Sequence, residues 1–515
     1  MHMRWRLQVV AITRRAGRHR RSSPFHDRAR RECMLASSAH LPASPSAPAR
    51  VRTRRRRAMP RGKAFIAADA AESRRPSAAV AVDDPTVVDA YGPAIPGEHK
   101  WLGAAVAEDG AIYGVPSHNR RVVRVVPGTG EVTELGSDDV LSTRKYKYLR
   151  GIRTCAGTIL GIPAWADSVL EITPETGEVK TLGEGTLPLG KWMWHGAAAG
   201  LDGNIYGIPS NADAVLFVDP RTKEISTFGS DVIPPGQNKW YGGIRGPDGC
   251  VYGIPYAANS VLKITPETRK VEHLGDFSDV PGGWKWHGGV LAPDGCIYAF
   301  PSHAPRVMKI DCARGTVKMI GPEFEGRYKW GGGAVDLEGR VYGMPSDTDC
   351  VLRIHTDTER VDTIGHGKLP TYKNKWQGGV LAPDGCIYAI PGDATSVLKI
   401  DPPTGTVTLV GQLGEEPDKW QGGFLGSDGI IYGIPENADK ILRIIPPSVD
   451  EEGMAKAMRA AAASGAAAVG VVKEDAGKGK TASAGDDGGG RGTLAAIAAA
   501  AAALLLALVI RNRLV

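Results

Sequence analysis

The chain has 515 residues, of which 42% are hydrophobic, 23% charged and 6% aromatic, with 66 glycines, 36 prolines and a formal net charge of +7. That length and apolar content exclude disorder throughout, and the glycine and proline excess excludes a mainly helical protein in favour of a turn-rich β fold. Net charge alone points to nucleic acid or an anionic membrane, yet residues 1–85 hold 19 Arg and one Lys against six acids, which is +14 and leaves −7 for the rest. The remainder therefore gives no electrostatic ground for nucleic-acid binding.

In chain order, residues 1–85 are rich in Arg, Ser, Ala and Pro, with a basic block at Arg54, Arg55, Arg56 and Arg57. Their short apolar run, Leu7 to Ile12, is too brief for the core of a secretory signal. The segment reads as a disordered leader or an organelle transit peptide, and Met34 and Met59 are internal alternative starts.

From residue 86 onward one pattern recurs. "IYGIP" or a close variant returns at Tyr113, Leu160, Tyr206, Tyr252, Tyr298, Tyr342, Tyr388 and Tyr432, and twelve residues before each stands Trp101, Tyr148, Trp194, Trp240, Trp286, Trp330, Trp376 or Trp420. Between Lys375 and Gly411 the runs "GGVLA", "CIYAIP", "SVLKI" and "TVTLV" alternate with turns at Asp384-Gly385 and Pro402–Gly405. Four β-prone runs and hairpin turns in about 46 residues describe a propeller blade, a meander whose faces are buried only by neighbouring blades. The last repeat lacks a fourth strand, while "TVVDAYG", Thr86 to Gly92, resembles "TVTLVG" and stands the same distance before Trp101 as Gly411 does before Trp420. The expected fold is therefore all-β, an eight-bladed propeller of four-stranded antiparallel blades over residues 86–447, closed by its N-terminal outer strand. Seven blades with a surplus repeat is the alternative.

The repeat "GGVLAPDGCIYAIP...VLKIDPPTGTV" resembles those of streptogramin (virginiamycin B) lyase and of the wider NHL and SMP-30 or gluconolactonase-like propellers. The resemblance spans residues that build the architecture. It implies a propeller and, for activity, a carbon–oxygen lyase or a lactone hydrolase. Where lyase repeats commonly read "WFTE", this chain reads "YGIP", and no residue here matches that family's catalytic Glu and His.

Antiparallel order puts the uniform "DG" and "PxTG" turns on one rim and the "KWxGG" and "IPSNAD" segments on the other, which is the expected binding face. Lysine precedes the aromatic in seven repeats, at Lys100, Lys147, Lys239, Lys285, Lys329, Lys375 and Lys419, with Met193 in the remaining one. Pointing inward, Lys239, Trp240, Lys285, Trp286, Lys329, Trp330, Lys375, Trp376, Lys419 and Trp420 would form a cationic and aromatic rim for an anionic or carbohydrate small molecule, or for a protein partner. Pointing elsewhere, the tryptophans wedge between blades and the lysines snorkel to solvent. The position after the aromatic varies as Leu102, Leu149, His195, Tyr241, His287, Gly331, Gln377 and Gln421, an asymmetric polar mouth. There His195, Tyr241 and His287 are the acid/base candidates, and Gln377 and Gln421 are ligand candidates. Loop acids Asp167, Asp213, Asp349, Asp393, Glu436 and Asp439 leave a divalent cation open, with no site assigned.

Cys250, Cys296 and Cys386 occupy one position in different repeats, too far apart to bond, so free thiols are expected. After residue 447 come an Ala/Gly-rich linker, 448–492, then Thr493 to Ile510, which is 18 uncharged residues, and a short tail, 511–515. That stretch spans about 27 Å as a helix and reads as a C-terminal transmembrane anchor. The expectation is a tail-anchored propeller exposed to the cytosol, or housed in an organelle if the leader is a transit peptide. It would act as a binding or scaffold module, with a lyase or lactonase-like enzyme at the channel mouth as the alternative.

Overall fold

A computed structural model describes Ala81 and residues 83–449. Within them thirty-two strands form eight separate four-stranded sheets, and the strand pairs are antiparallel. Each sheet is one blade, with strands A to D running outward from the axis. The chain makes these strands because turn chemistry recurs on schedule. In blade 7, Asp384 Oδ1 accepts the Cys386 amide at 3.0 Å while Gly385 takes φ +80°, which closes the A–B hairpin. The following B strand, Ile387–Pro391, is buried at every residue because blades pack on both of its faces.

Ring closure follows the sequence expectation. Val87–Tyr91 pairs antiparallel with Ile441–Ile445, from Val87 opposite Ile445 to Tyr91 opposite Ile441. Arg443 grips Asp89 across this pair, Nε to Oδ1 at 3.0 Å and Nη2 to Oδ2 at 2.6 Å. The eighth blade thus joins the earliest strand to the last three. The expected leader and transmembrane anchor lie outside the described residues, among which no helix is long and apolar enough to cross a membrane. The six described cysteines are free.

The inner A strands begin at Trp101, Tyr148, Trp194, Trp240, Trp286, Trp330, Trp376 and Trp420, and each bulges just after that aromatic. The bulge gives the third residue a positive φ. It is Gly103, Gly196, Gly242, Gly288, Gly332, Gly378 or Gly422 in seven blades and Arg150 in blade 2. A Cβ on Gly332 would lie 3.0 Å from the Gly378 Cα, so glycine lets adjoining inner strands approach around the axis.

Candidate functional site

The structure turns the lysines and tryptophans away from any ligand. Lys239, Lys285, Lys329, Lys375 and Lys419 are at most 3% exposed. Lys375 Nζ donates to the carbonyls of Ser346 at 2.7 Å and Tyr372 at 2.8 Å, and Lys329 Nζ donates to Ser302, Ala304 and Gly326. The physical reason is that the loop arriving from the preceding blade buries carbonyls with no strand partner, and an ammonium carries three donors for them. Burial lowers the pKa of Lys147, Lys329 and Lys375 to about 8. Trp240, Trp286, Trp330, Trp376 and Trp420 are at most 3% exposed, and each Nε1 donates to the carbonyl twenty residues on, as Trp376 does to Ser396 at 2.8 Å. These side chains hold blades together.

The rim itself is built by the residue just before the lysine position. His99, Tyr146, Trp192, Asn238, Trp284, Tyr328, Asn374 and Asp418 all adopt left-handed backbone, with φ from 48° to 65°. Each carbonyl accepts the amide of a B–C loop residue in the same blade, from His118 to His99 at 2.9 Å round to Asn437 to Asp418 at 3.0 Å. A left-handed conformation costs a non-glycine residue about 1 kcal/mol or more, and such strain gathers at functional sites. One backbone device thus presents eight different side chains as a crown. The signal lay in the sequence, in a position that varies beside a nearly constant lysine.

The crown has three arcs. In blades 1 to 3, His99, His118, Tyr146, Trp165 and Trp192 form a chain of rings, with centroids 5.1 Å apart for His99–His118, 4.4 Å for His118–Tyr146, 4.9 Å for Tyr146–Trp165 and 5.8 Å for Trp165–Trp192. In blades 3 to 6, His195 stacks on Tyr241 at 3.6 Å and Tyr241 on Tyr256 at 3.8 Å, continuing through Trp284 to Tyr328 and His303. In blades 6 to 8 the groups are polar. Asn374 Nδ2 donates to Asp393 at 2.9 Å and to Asp418 at 2.8 Å, and Gln377 Nε2 donates to Asn374 Oδ1 at 2.8 Å. Gln421 is half-buried, and burial raises the pKa of Asp393.

Where the last blade meets the first, His99 Nδ1 and Glu436 Oε1 are 2.7 Å apart. The hydrogen bond to Glu436 raises the His99 pKa above 6.5, while burial raises that of Glu436 above 4.5 against the pull of His99. Burial lowers neighbouring His118 to about 4, and its Nε2 is buried without a hydrogen-bond partner.

Of the sequence candidates, the structure brings His195, Tyr241 and His287 together, with Tyr241 5.7 Å from His287 between ring centroids. No carboxylate pairs with either imidazole among the described residues. Burial holds His195 far below 6.5 and His287 at about 4, and the charge of Arg150 lowers both further. Asp349, Cys350 and His366 place ligand atoms within 4.8 Å of one another, and Asp349 and His366 are exposed.

Fold and site together define an eight-bladed β-propeller whose channel mouth carries non-equivalent side chains on equivalent backbone. No protein-family model and no curated protein matches the chain. Solved structures similar to it include a streptogramin B lyase, at 16% identity and TM-score 0.46 over 70% of this chain and 97% of that one. Virginiamycin B lyase from Staphylococcus aureus matches at 12% identity and TM-score 0.45 over 70% of this chain and 99% of that one. Hydrazine synthase from Kuenenia stuttgartiensis matches at 15% identity and TM-score 0.43 over 69% and 98%.

Proposed function

We propose that the protein is a propeller binding module whose ligand, a neutral carbohydrate, lies across the crown. The observation that carries this reading is the pairing of aromatic arcs with an arc of amides and carboxylates on one rim. Ring faces such as Trp284 and Tyr328 suit the apolar faces of sugar rings, and Asn374, Asp393 and Asp418 suit their hydroxyls. The repeated lysines are turned inward, and the acids Asp347, Asp393, Asp418 and Glu436 share the mouth with the exposed cations Lys145, Lys191 and Arg327, so the reading rests on ring faces and hydrogen-bonding groups rather than on net charge.

The test is titration of the full chain with cellohexaose and maltohexaose, followed by tryptophan fluorescence. Trp284→Ala should weaken binding about tenfold or more. Lys375→Met, which removes the ammonium from the Tyr372 carbonyl and leaves the Ser346 carbonyl with only the residue 375 amide, should cost about 1–3 kcal/mol of stability and leave affinity unchanged. Affinity lost in Lys375→Met and kept in Trp284→Ala would return the site to the lysine rim.

A second reading, a lyase or lactonase-like enzyme, is favoured by one observation, the His99–Glu436 pair. It supplies the imidazole–carboxylate contact that His195 and His287 lack. The module is further proposed to be tethered by Thr493–Ile510, supported by that segment's 18 uncharged residues. Full-length protein should resist alkaline carbonate extraction from membranes and be released when 493–510 is deleted; equal extraction of both would remove the tether.

A further inference from the structure

Arg150 stands alone at the position where the other seven blades place glycine. Its φ is 66°, in the left-handed region that glycine occupies without strain. The neighbouring glycines accommodate it. A Cβ on Gly103 would lie 3.2 Å from the Arg150 Cα, and a Cβ on Gly196 would lie 3.2 Å from the Arg150 Cδ, so the side chain passes over the bare backbone of the next blade. It is exposed to the lumen, yet protein packed around it lowers the guanidinium pKa. Its charge reaches His195 one blade on and His287 three blades on, which is a reach across the channel.

Among the described residues Arg150 has no ion pair, and no carboxylate contributes to the environment of Arg150, His195 or His287. His195 Nδ1 is buried and without a hydrogen-bond partner. A left-handed arginine and an unsatisfied imidazole nitrogen each cost stability, and glycine at 150 would remove the first cost.

We propose that Arg150 is the centre of an oxyanion site inside the channel, holding a carboxylate or phosphate group through its guanidinium. The guanidinium fork matches the paired oxygens of such a group. The anion comes either free, as a small oxyanion, or as the acid group of a larger ligand lying across the mouth. The site stands whether or not the crown binds neutral sugar.

Calorimetric titration of the full chain at constant moderate salt tests it, with malonate, inorganic phosphate and galacturonate as probes and galactose as the uncharged control. Arg150→Gly restores the residue found in seven blades and should match or exceed the wild-type melting temperature. Arg150→Met keeps the stem and removes the charge. Both variants should bind the anionic probes about tenfold or more weakly. The basic leader is unchanged in them, so any anion held there contributes equally. Malonate or phosphate binding at least as tightly as galacturonate identifies a free oxyanion. Galacturonate binding tighter than malonate, phosphate and galactose in the wild type, with that advantage over galactose lost in both variants, identifies the acid group of a larger ligand. Equal affinity in wild type and either variant, or no wild-type binding below about 10 mM, overturns the proposal.

Discussion

At His99 and His118, two imidazoles 5.1 Å apart are driven in opposite directions by one difference in partner. His99 has the Glu436 carboxylate and its pKa goes up, while His118 has burial and nearby positive charge and falls to about 4. The His99–Glu436 ion pair therefore stabilises the fold fully below the unfolded histidine value of about 6.5, and that contribution is lost as pH rises through the higher folded value. Burial raises the Glu436 pKa, so on the acid side the pair is lost before an ordinary glutamate would protonate. An NMR titration should place the His99 midpoint above 6.5 in the wild type and below it in Glu436→Gln, where burial acts without the carboxylate. The stability deficit of Glu436→Gln, about 1–3 kcal/mol near pH 6, should shrink at higher pH. An unmoved His99 midpoint would remove the pair as an acid/base candidate, and with it the best support for an enzyme. Nothing in local sequence announces this pair, because its members are 337 residues apart and meet only when the ring closes.

Strands and turns were the most legible elements, because each rests on local chemistry. The alternation of "DG" turns with apolar runs such as "CIYAIP" marks hairpins whose glycine must take positive φ, and Gly385 does. The crown was less legible. Left-handed backbone at Trp284 or Tyr328 is set by the loop of the same blade, where His303 donates its amide to the Trp284 carbonyl at 2.9 Å, and aromatic residues have no intrinsic preference for that conformation. The lysines were legible as a ring and misleading as a site, since repeated identity marks a duty every blade shares, here satisfying loop carbonyls. Ligand recognition needs positions where blades differ. Two such positions flank the Lys-aromatic pair. The one after it was identified from the sequence and holds His195, Tyr241 and His287; the one before it carries the crown. Arg150 illustrates the same rule inside the channel, as the one departure from glycine at a position otherwise uniform in all blades.

At the scale of the whole molecule, repeat spacing and the likeness of "TVVDAYG" to "TVTLVG" point to eight blades closed by the N-terminal strand, and the eight sheets decide against seven blades with a surplus repeat. Closure is more than geometry. Without Val87–Tyr91, Ile441–Ile445 becomes a bare edge strand, Arg443 loses Asp89, and Val88 no longer packs on blade 7 against Gly411, where a Cβ would lie 2.5 Å from the Val88 Cβ. Just upstream, Asp84 pairs with Lys399 at 3.0 Å and the Ala81 amide reaches the Leu409 carbonyl at 2.9 Å, so the chain is fastened to blade 7 before it enters blade 8. Two truncations separate these parts from the leader. Removing residues 1–80 deletes none of these contacts and should leave the melting temperature of the propeller unchanged. Removing residues 1–92 deletes a five-residue ladder and a bidentate ion pair, a loss on the order of 5 kcal/mol, which for a domain this large lowers melting by roughly 7 °C. The opened edge should also make the shorter protein self-associate, visible as concentration-dependent mass in light scattering. If both truncations melt together as monomers, the N-terminal strand is an ornament on a ring held shut by blade packing alone. If only the longer deletion fails, the two ends of the repeat array act as one latch.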